Sequence, residues 1–132
     1  MDFKQLRHSI KKSIVSYFAT HFMLQGYRLS EALMSYQRAK YFEHLALNTF
    51  SKYPTNLTES DETNQRNAIW YFLNAALQGY STAQFKLGML YLNGQLGLDP
   101  NETKAEMWLN LAANQGHSEA LDALNQLQSH YS

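Results

Sequence analysis

The sequence predicts an all-α fold: a short right-handed solenoid of antiparallel helix pairs, with about six helices in 132 residues. Three observations lead there. Residues 68–91 return in altered form at 105–128, sharing nine of 24 positions at an offset of 37: Ala68/Ala105, Ala75/Ala112, Ala76/Ala113, Gln78/Gln115, Gly79/Gly116, Ser81/Ser118, Ala83/Ala120, Leu87/Leu124 and Leu90/Leu127. A repeat of this period marks units that bury their apolar faces only by stacking on their neighbours. Elsewhere apolar residues recur at steps of three and four, the helical spacing, and only two Pro interrupt the chain.

In order along the chain, Phe3, Leu6, Ile10, Ile14, Tyr17 and His21 define one helical face over 3–24, with Gly26 as its C-terminal stop. Ser30 reads as the N-cap of a second helix, with Glu31 in its first turn and Leu29 stapling onto Met34. That helix runs to about Ser51, Pro54 ends it, and TNLTESDET forms a polar loop. Helix A of the first repeat covers 64–78 and helix B 81–93. The segment GQLGLDP, dense in turn residues, links them to helices at 101–115 and 118–129. The whole is read as one domain, 1–132, in which 1–60 pack on or extend the solenoid and 64–128 hold two repeats. Residues 32–50 are readable as a decayed helix B of an earlier unit.

The repeated residues have physical reasons. Ala75-Ala76 and Ala112-Ala113, late in helix A, and Ala83 and Ala120, early in helix B, let two helices approach closely. Gly79 and Gly116 supply the left-handed backbone that reverses the chain. Ser81 and Ser118 are placed to cap helix B. Leu87, Leu90, Leu124 and Leu127 are its core leucines.

The spacing A-x-x-W/Y-x-x-x-A-A-x-Q-G-x-x-x-A-x-x-x-L-G-x-x-Y-x-x-G-x-x-G resembles the Sel-one-like repeat, a relative of the tetratricopeptide repeat. Ala68, Tyr71, Ala75, Ala76, Gln78, Gly79, Ala83, Leu87, Gly88, Tyr91, Gly94 and Gly97 meet it. The second copy keeps Ala105, Trp108, Ala112, Ala113, Gln115, Gly116, His117, Ala120 and Leu124, and has Asn125 and Gln128 where the later Gly and Tyr would stand. The resemblance implies a tetratricopeptide-like superhelix that serves as an interaction scaffold, often in bacterial signalling, secretion or envelope assembly. It implies no catalytic residue, and a turn or capping role for His117.

The two copies differ where function would differ. Ile69, Trp70, Leu73 and Leu77 of the first helix A become Glu106, Met107, Asn110 and Asn114. Residues 69, 73 and 77 form one stripe with Trp70 beside it. It is expected to lie under the N-terminal helices, or alternatively to form a groove for a partner helix or a second copy of the chain. Phe85, Met89 and Tyr91 become Asp122, Gln126 and Gln128, the polar outer face of a terminal helix. The candidate partner-binding residues are therefore Glu106, Met107, Asn110 and Asn114, with Trp70 and Leu73.

Other chemistries lack a constellation. Without cysteine there are no disulfides, thiolate zinc sites or cysteine nucleophiles. His8, His21, His44, His117 and His130 show no paired-ligand spacing. Gly94–Gly97 lacks the Lys-Ser/Thr of a phosphate loop, and no GxSxG occurs. Glu59, Asp61 and Glu62 read as a solvated cluster. No cofactor, metal or catalytic residue is expected, and eleven basic against eleven acidic residues argue against a nucleic-acid partner.

Lys4, Arg7, Lys11 and Lys12 precede the apolar IVSYFATHFML in the manner of a signal peptide. The run is short, His21 interrupts it and no small-x-small site follows, so it is read as a helix of the folded domain. Those four basic residues share much of one face with Phe3, Leu6, Ile10 and Ile14 opposite. A core-facing helix with a charged outer side is expected here rather than a membrane contact. The function read from the sequence is a non-enzymatic protein–protein interaction module, bacterial and cytoplasmic, holding a protein or peptide on its helix-A surface. The alternatives are a periplasmic, envelope- or membrane-surface-associated adaptor that uses the N-terminal helix, and an immunity-type inhibitor.

Overall fold

The computed structural model describes residues 2–52 and 59–131. Among the described residues the fold is all-helical, with no strand: α1 (Phe3–Lys52), α2 (Glu59–Leu77), α3 (Ser81–Asn93), α4 (Glu102–Asn114) and α5 (Ser118–Ser129). Five helices stand where about six were expected, because α1 continues through both Gly26 and Ser30. Gly26 keeps a helical rather than left-handed backbone. The Ser30 hydroxyl donates back to the Tyr27 carbonyl at 2.8 Å instead of capping a new helix. Pro54 and residues 55–58 of the expected polar loop lie outside the described residues. The rest of that loop, from Glu59, is already helix, with Glu59, Asp61 and Glu62 at the positive end of the α2 dipole.

The chain divides into two compact units, residues 1–30 and 31–132. In the first, the large apolar side chains between Phe3 and Leu29 are exposed. A Cβ added at Gly26 meets nothing within 4 Å. Gly26→Ala should therefore stabilise this helix by about 1 kcal/mol through backbone entropy alone. Slower amide exchange in residues 22–30 would show it, and unchanged exchange would refute it.

In the second unit, residues 31–48 of α1 turn a seam of small side chains inward: Ala32, Ser35, Ala39 and Ala46 are buried, with Glu43 among them. Tyr36 packs on Phe72 of α2 and on Tyr80. Glu43 pairs with Lys86 of α3, and Lys40 Nζ lies 3.1 Å from its other oxygen. This stretch thus rests on both helices of the following hairpin. From there the principal packing passes from neighbour to neighbour, α2 on α3, α3 on α4 and α4 on α5, as in a solenoid.

The two hairpin turns are built alike. Gly79 and Gly116 adopt φ of 88° and 87°. Tyr80 N–H reaches the Ala75 carbonyl at 3.1 Å, and His117 N–H reaches Ala112 at 3.1 Å, the six-to-one bond of a glycine-terminated helix. Each turn then uses one extended residue, so the caps are Tyr80 and His117. Ser81 and Ser118 fall at the first helical position and do not cap. His117 caps with Nδ1, which accepts from Ala120 N–H at 3.3 Å, while its ring stacks on Phe85 at 4.7 Å.

In the linker, Gly94 and Gly97 also take positive φ, and so does Leu96, at 54°. The left-handed conformation costs a non-glycine residue about 1–2 kcal/mol. The packing of Leu96 against the core offsets it. Asn101 then caps α4, accepting from Lys104 N–H at 2.9 Å.

One core cluster joins Ala39, Ala68, Phe72, Ala75, Ala76, Ala83, Leu87, Leu90 and Trp108. A second joins Leu109, Ala112, Ala120 and Leu124, with Phe85, Met89, Ala113 and Leu127 half-buried against it. A polar tie lies between the repeats. Buried Gln84 donates from Nε2 to the Ala76 carbonyl at 3.1 Å and accepts from Gln115 Nε2 at 2.8 Å. It gives the Ala76 carbonyl, which also accepts from Gly79 N–H at 3.0 Å, a second donor and fastens the end of α2 to the turn after α4. Asp122, Gln126 and Gln128 of α5 are exposed.

Candidate partner-binding surface

Three consecutive aromatic residues of α2 sample three environments, because each helical step turns the side chain by about 100°. Phe72 points in and is fully buried, Tyr71 is half-buried at the edge, and Trp70 points out, 58 % exposed. Tyr71 is the hinge of the surface. Phe42 of α1 stacks on it at 5.7 Å with the planes 4° apart. Arg38 sets its guanidinium 5.8 Å from the ring centre. Trp70 meets it edge-on at 4.9 Å, and Tyr41 extends the row by packing edge-on against Phe42 at 5.5 Å. Met34, Gln37, Arg38 and Tyr41 line a shallow concavity on the same side of α1.

The local cause is spacing. Residues 34, 38 and 41 recur at steps of four and three, one helical face, and that face is turned away from the Ala32–Ser35–Ala39 seam. Ala39 of that seam joins the core cluster of α2, and Phe42 and Arg38 beside it close on Tyr71. The result is an exposed ledge of Met, Arg, Tyr and Trp, the residue types that most often anchor partners. Its rings are held by mutual stacking, so binding would immobilise little that is not already fixed.

The expected site residues divide. Trp70 lies on this ledge. Leu73 and Ile69 are half-buried against the core cluster that Ala39 joins, and only Leu77 of the stripe remains exposed. On α4, Glu106 is half-buried, Asn110 and Asn114 are exposed, and Met107 is 49 % exposed. Trp70 and Met107 are equivalent positions of successive repeats, so both A helices present a large apolar side chain outward at this position. Met34, Arg38 and Tyr41 were missed from the sequence. Their signal was a row of large side chains on the face opposite the alanines of that helix.

A cleft of about 390 Å³ opens beside Glu43, Gln65, Lys86, Leu90 and Leu96. Its charged floor is already neutralised by the Glu43–Lys86 pair, which leaves it no net attraction for an ion. Among the described residues no three His, Asp or Glu side chains gather as a metal-binding group, and no helix is long and apolar enough to cross a membrane.

Compared with known families, residues 60–80 and 81–117 match the Sel1 repeat. The match takes in α2, then α3, the linker and α4, and stops at the turn before α5. No curated protein and no solved structure matches the chain.

Proposed function

We propose that this chain, a member of the Sel1-repeat family, is a non-enzymatic protein-binding module whose docking surface is the ledge of Met34, Arg38, Tyr41 and Trp70. Sel1 repeats are in general protein–protein interaction modules, and the ledge is where this chain departs from a plain solvated surface. The observation that carries the reading is Trp70, exposed yet held edge-on against a Tyr71 that Phe42 and Arg38 already clamp. The partner is a protein or peptide segment with an apolar anchor for the indole and an acceptor for Arg38. Met107, Asn110 and Asn114 extend the surface one repeat further.

Trp70→Ala combined with Tyr41→Ala tests this. Truncating two anchors should weaken partner capture from the native cell at least about 30-fold. The unfolding transition should move little, since both side chains are largely exposed. Met107→Asp with Asn110→Arg is the companion variant. An unchanged set of captured proteins in the first variant removes the ledge from the proposal. Loss in the second alone moves the surface to α4.

A further inference from the structure

Residues 1–30 form a separate compact unit whose chemistry is unlike that of the rest. Lys4, Arg7, Lys11, Lys12 and Arg28 stand against one acidic residue, Asp2, a net charge of +4. The remaining 102 residues hold six basic and ten acidic side chains, a net charge of −4. From Phe3 to Ser30 there is no acidic residue at all. Over the same stretch twelve large apolar side chains are between 43 % and 87 % exposed. A monomeric protein rarely leaves so much contiguous apolar surface bare without a use for it.

The arrangement of those side chains selects the occupant. Phe3, Leu6 and Ile10 share a shallow concavity with Lys4 and Arg7. Lys4 and Arg7 thus border the apolar stripe rather than oppose it. At a border, long cationic side chains lay their stems along apolar surface and lift their heads to a phosphate plane. Beyond Ile14 the apolar surface widens: Val15, Phe18 and Phe22 leave the stripe, so a single partner helix would cover only part of it. In a pair of these helices, stripe on stripe, the bordering Lys and Arg would meet like charges, with no acid in the segment to answer them. A bilayer needs no shape match and supplies the opposite charge.

We propose that residues 3–30 are an interfacial helix that lies on an anionic phospholipid surface, with Phe3, Leu6, Ile10, Ile14, Phe18 and Phe22 in the acyl boundary and Lys4, Arg7 and Lys11 at the phosphates. The segment lies on the membrane and does not span it. The acidic remainder of the chain is repelled by the same surface, so adsorption is confined to this unit. The inference is independent of the ledge on α1 and α2.

Flotation of the full-length protein with vesicles tests it. Binding to phosphatidylcholine vesicles containing phosphatidylglycerol is expected at low salt, with at least tenfold weaker binding at high salt or to phosphatidylcholine alone. Lys4→Ser, Arg7→Ser and Lys11→Ser together should weaken binding roughly 100-fold, about fivefold for each charge removed. Phe18→Ser with Phe22→Ser should weaken it at any salt. Trp70→Ala should bind vesicles as the wild type does. The proposal is overturned by absent flotation, by equal binding to neutral and anionic vesicles, or by wild-type binding of the triple variant. A dimer in light scattering that forms without vesicles and dissolves in the Phe18/Phe22 variant also overturns it, assigning the face to a second copy of the chain.

Discussion

Phe72→Ala should destabilise the repeat unit by about 4 kcal/mol, near the upper end for a buried aromatic residue. The ring is fully buried in a core cluster that holds five alanines, Ala39, Ala68, Ala75, Ala76 and Ala83. An alanine Cβ is fixed to the backbone and cannot swing into a vacated space, so the cavity stays open and the loss exceeds simple transfer of the ring to water. Phe72 also holds the second half of α1 in place, through Tyr36 at 5.7 Å, and it faces Lys86 Nζ at 5.7 Å. Urea unfolding followed by helical circular dichroism reads the loss.

A second readout is available at Tyr36, whose phenol is pushed above its ordinary value of 10.0, chiefly by burial. A group whose pKa is raised on folding contributes stability below its unfolded pKa and loses it as pH rises through the folded one. The wild-type fold should therefore weaken above about pH 10. In Phe72→Ala, water admitted beside Tyr36 should lower its titration toward the ordinary range in an alkaline absorbance titration. A loss below about 1 kcal/mol, with the Tyr36 titration unmoved, would mean that α1 does not rest on α2 as described.

Gly88→Val should cost the same unit about 3 kcal/mol by the opposite mechanism, too much volume rather than too little. A Cβ at position 88 would stand 2.7 Å from Cγ and 2.8 Å from Cδ2 of Leu109, and 3.3 Å from the Ala105 carbonyl oxygen. Glycine in mid-helix sacrifices about 1 kcal/mol against alanine. Here that sacrifice lets α3 and α4 close on one another where buried Leu109 inserts. Valine adds a branched Cβ that can retreat toward neither the carbonyl nor the leucine. If this contact is the cause, Leu109→Ala in the valine background should destabilise far less than Leu109→Ala alone, a strong departure from additivity. Additive losses would place the damage elsewhere. Gly26, also in mid-helix but with open space around it, carries the opposite expected sign.

The hairpins and the Sel1-repeat match were legible because their signals are local. Gly79 and Gly116 set the turns, and the bounds of α3 and α5 follow from the period of their own apolar residues. The capping serines were misplaced by one position, since the turn geometry places the extended residue at Tyr80 and His117. The break at Gly26 and Ser30 failed for an energetic reason. One glycine weakens a helix by about 1 kcal/mol, and a serine has a competing bond back to the preceding turn. Continuing a helix that already exists escapes the cost of nucleating a second one.

Of the proposed ledge, Trp70 was singled out in advance, because its exchange for Met107 marked a difference between the copies. Arg38 and Tyr41 were not visible, because their importance lies in what they touch on another helix. By itself the amino-acid sequence determined that the chain is helical, that it repeats, and where its paired helices turn, all consequences of backbone preference and spacing within a few residues. Tertiary structure alone decided which of Trp70, Tyr71 and Phe72 faces inward and that Gly88 must admit Leu109. The physical reason is that periodicity within one helix defines its faces but not its rotation against a neighbour. That rotation is chosen by close packing between side chains far apart in the chain.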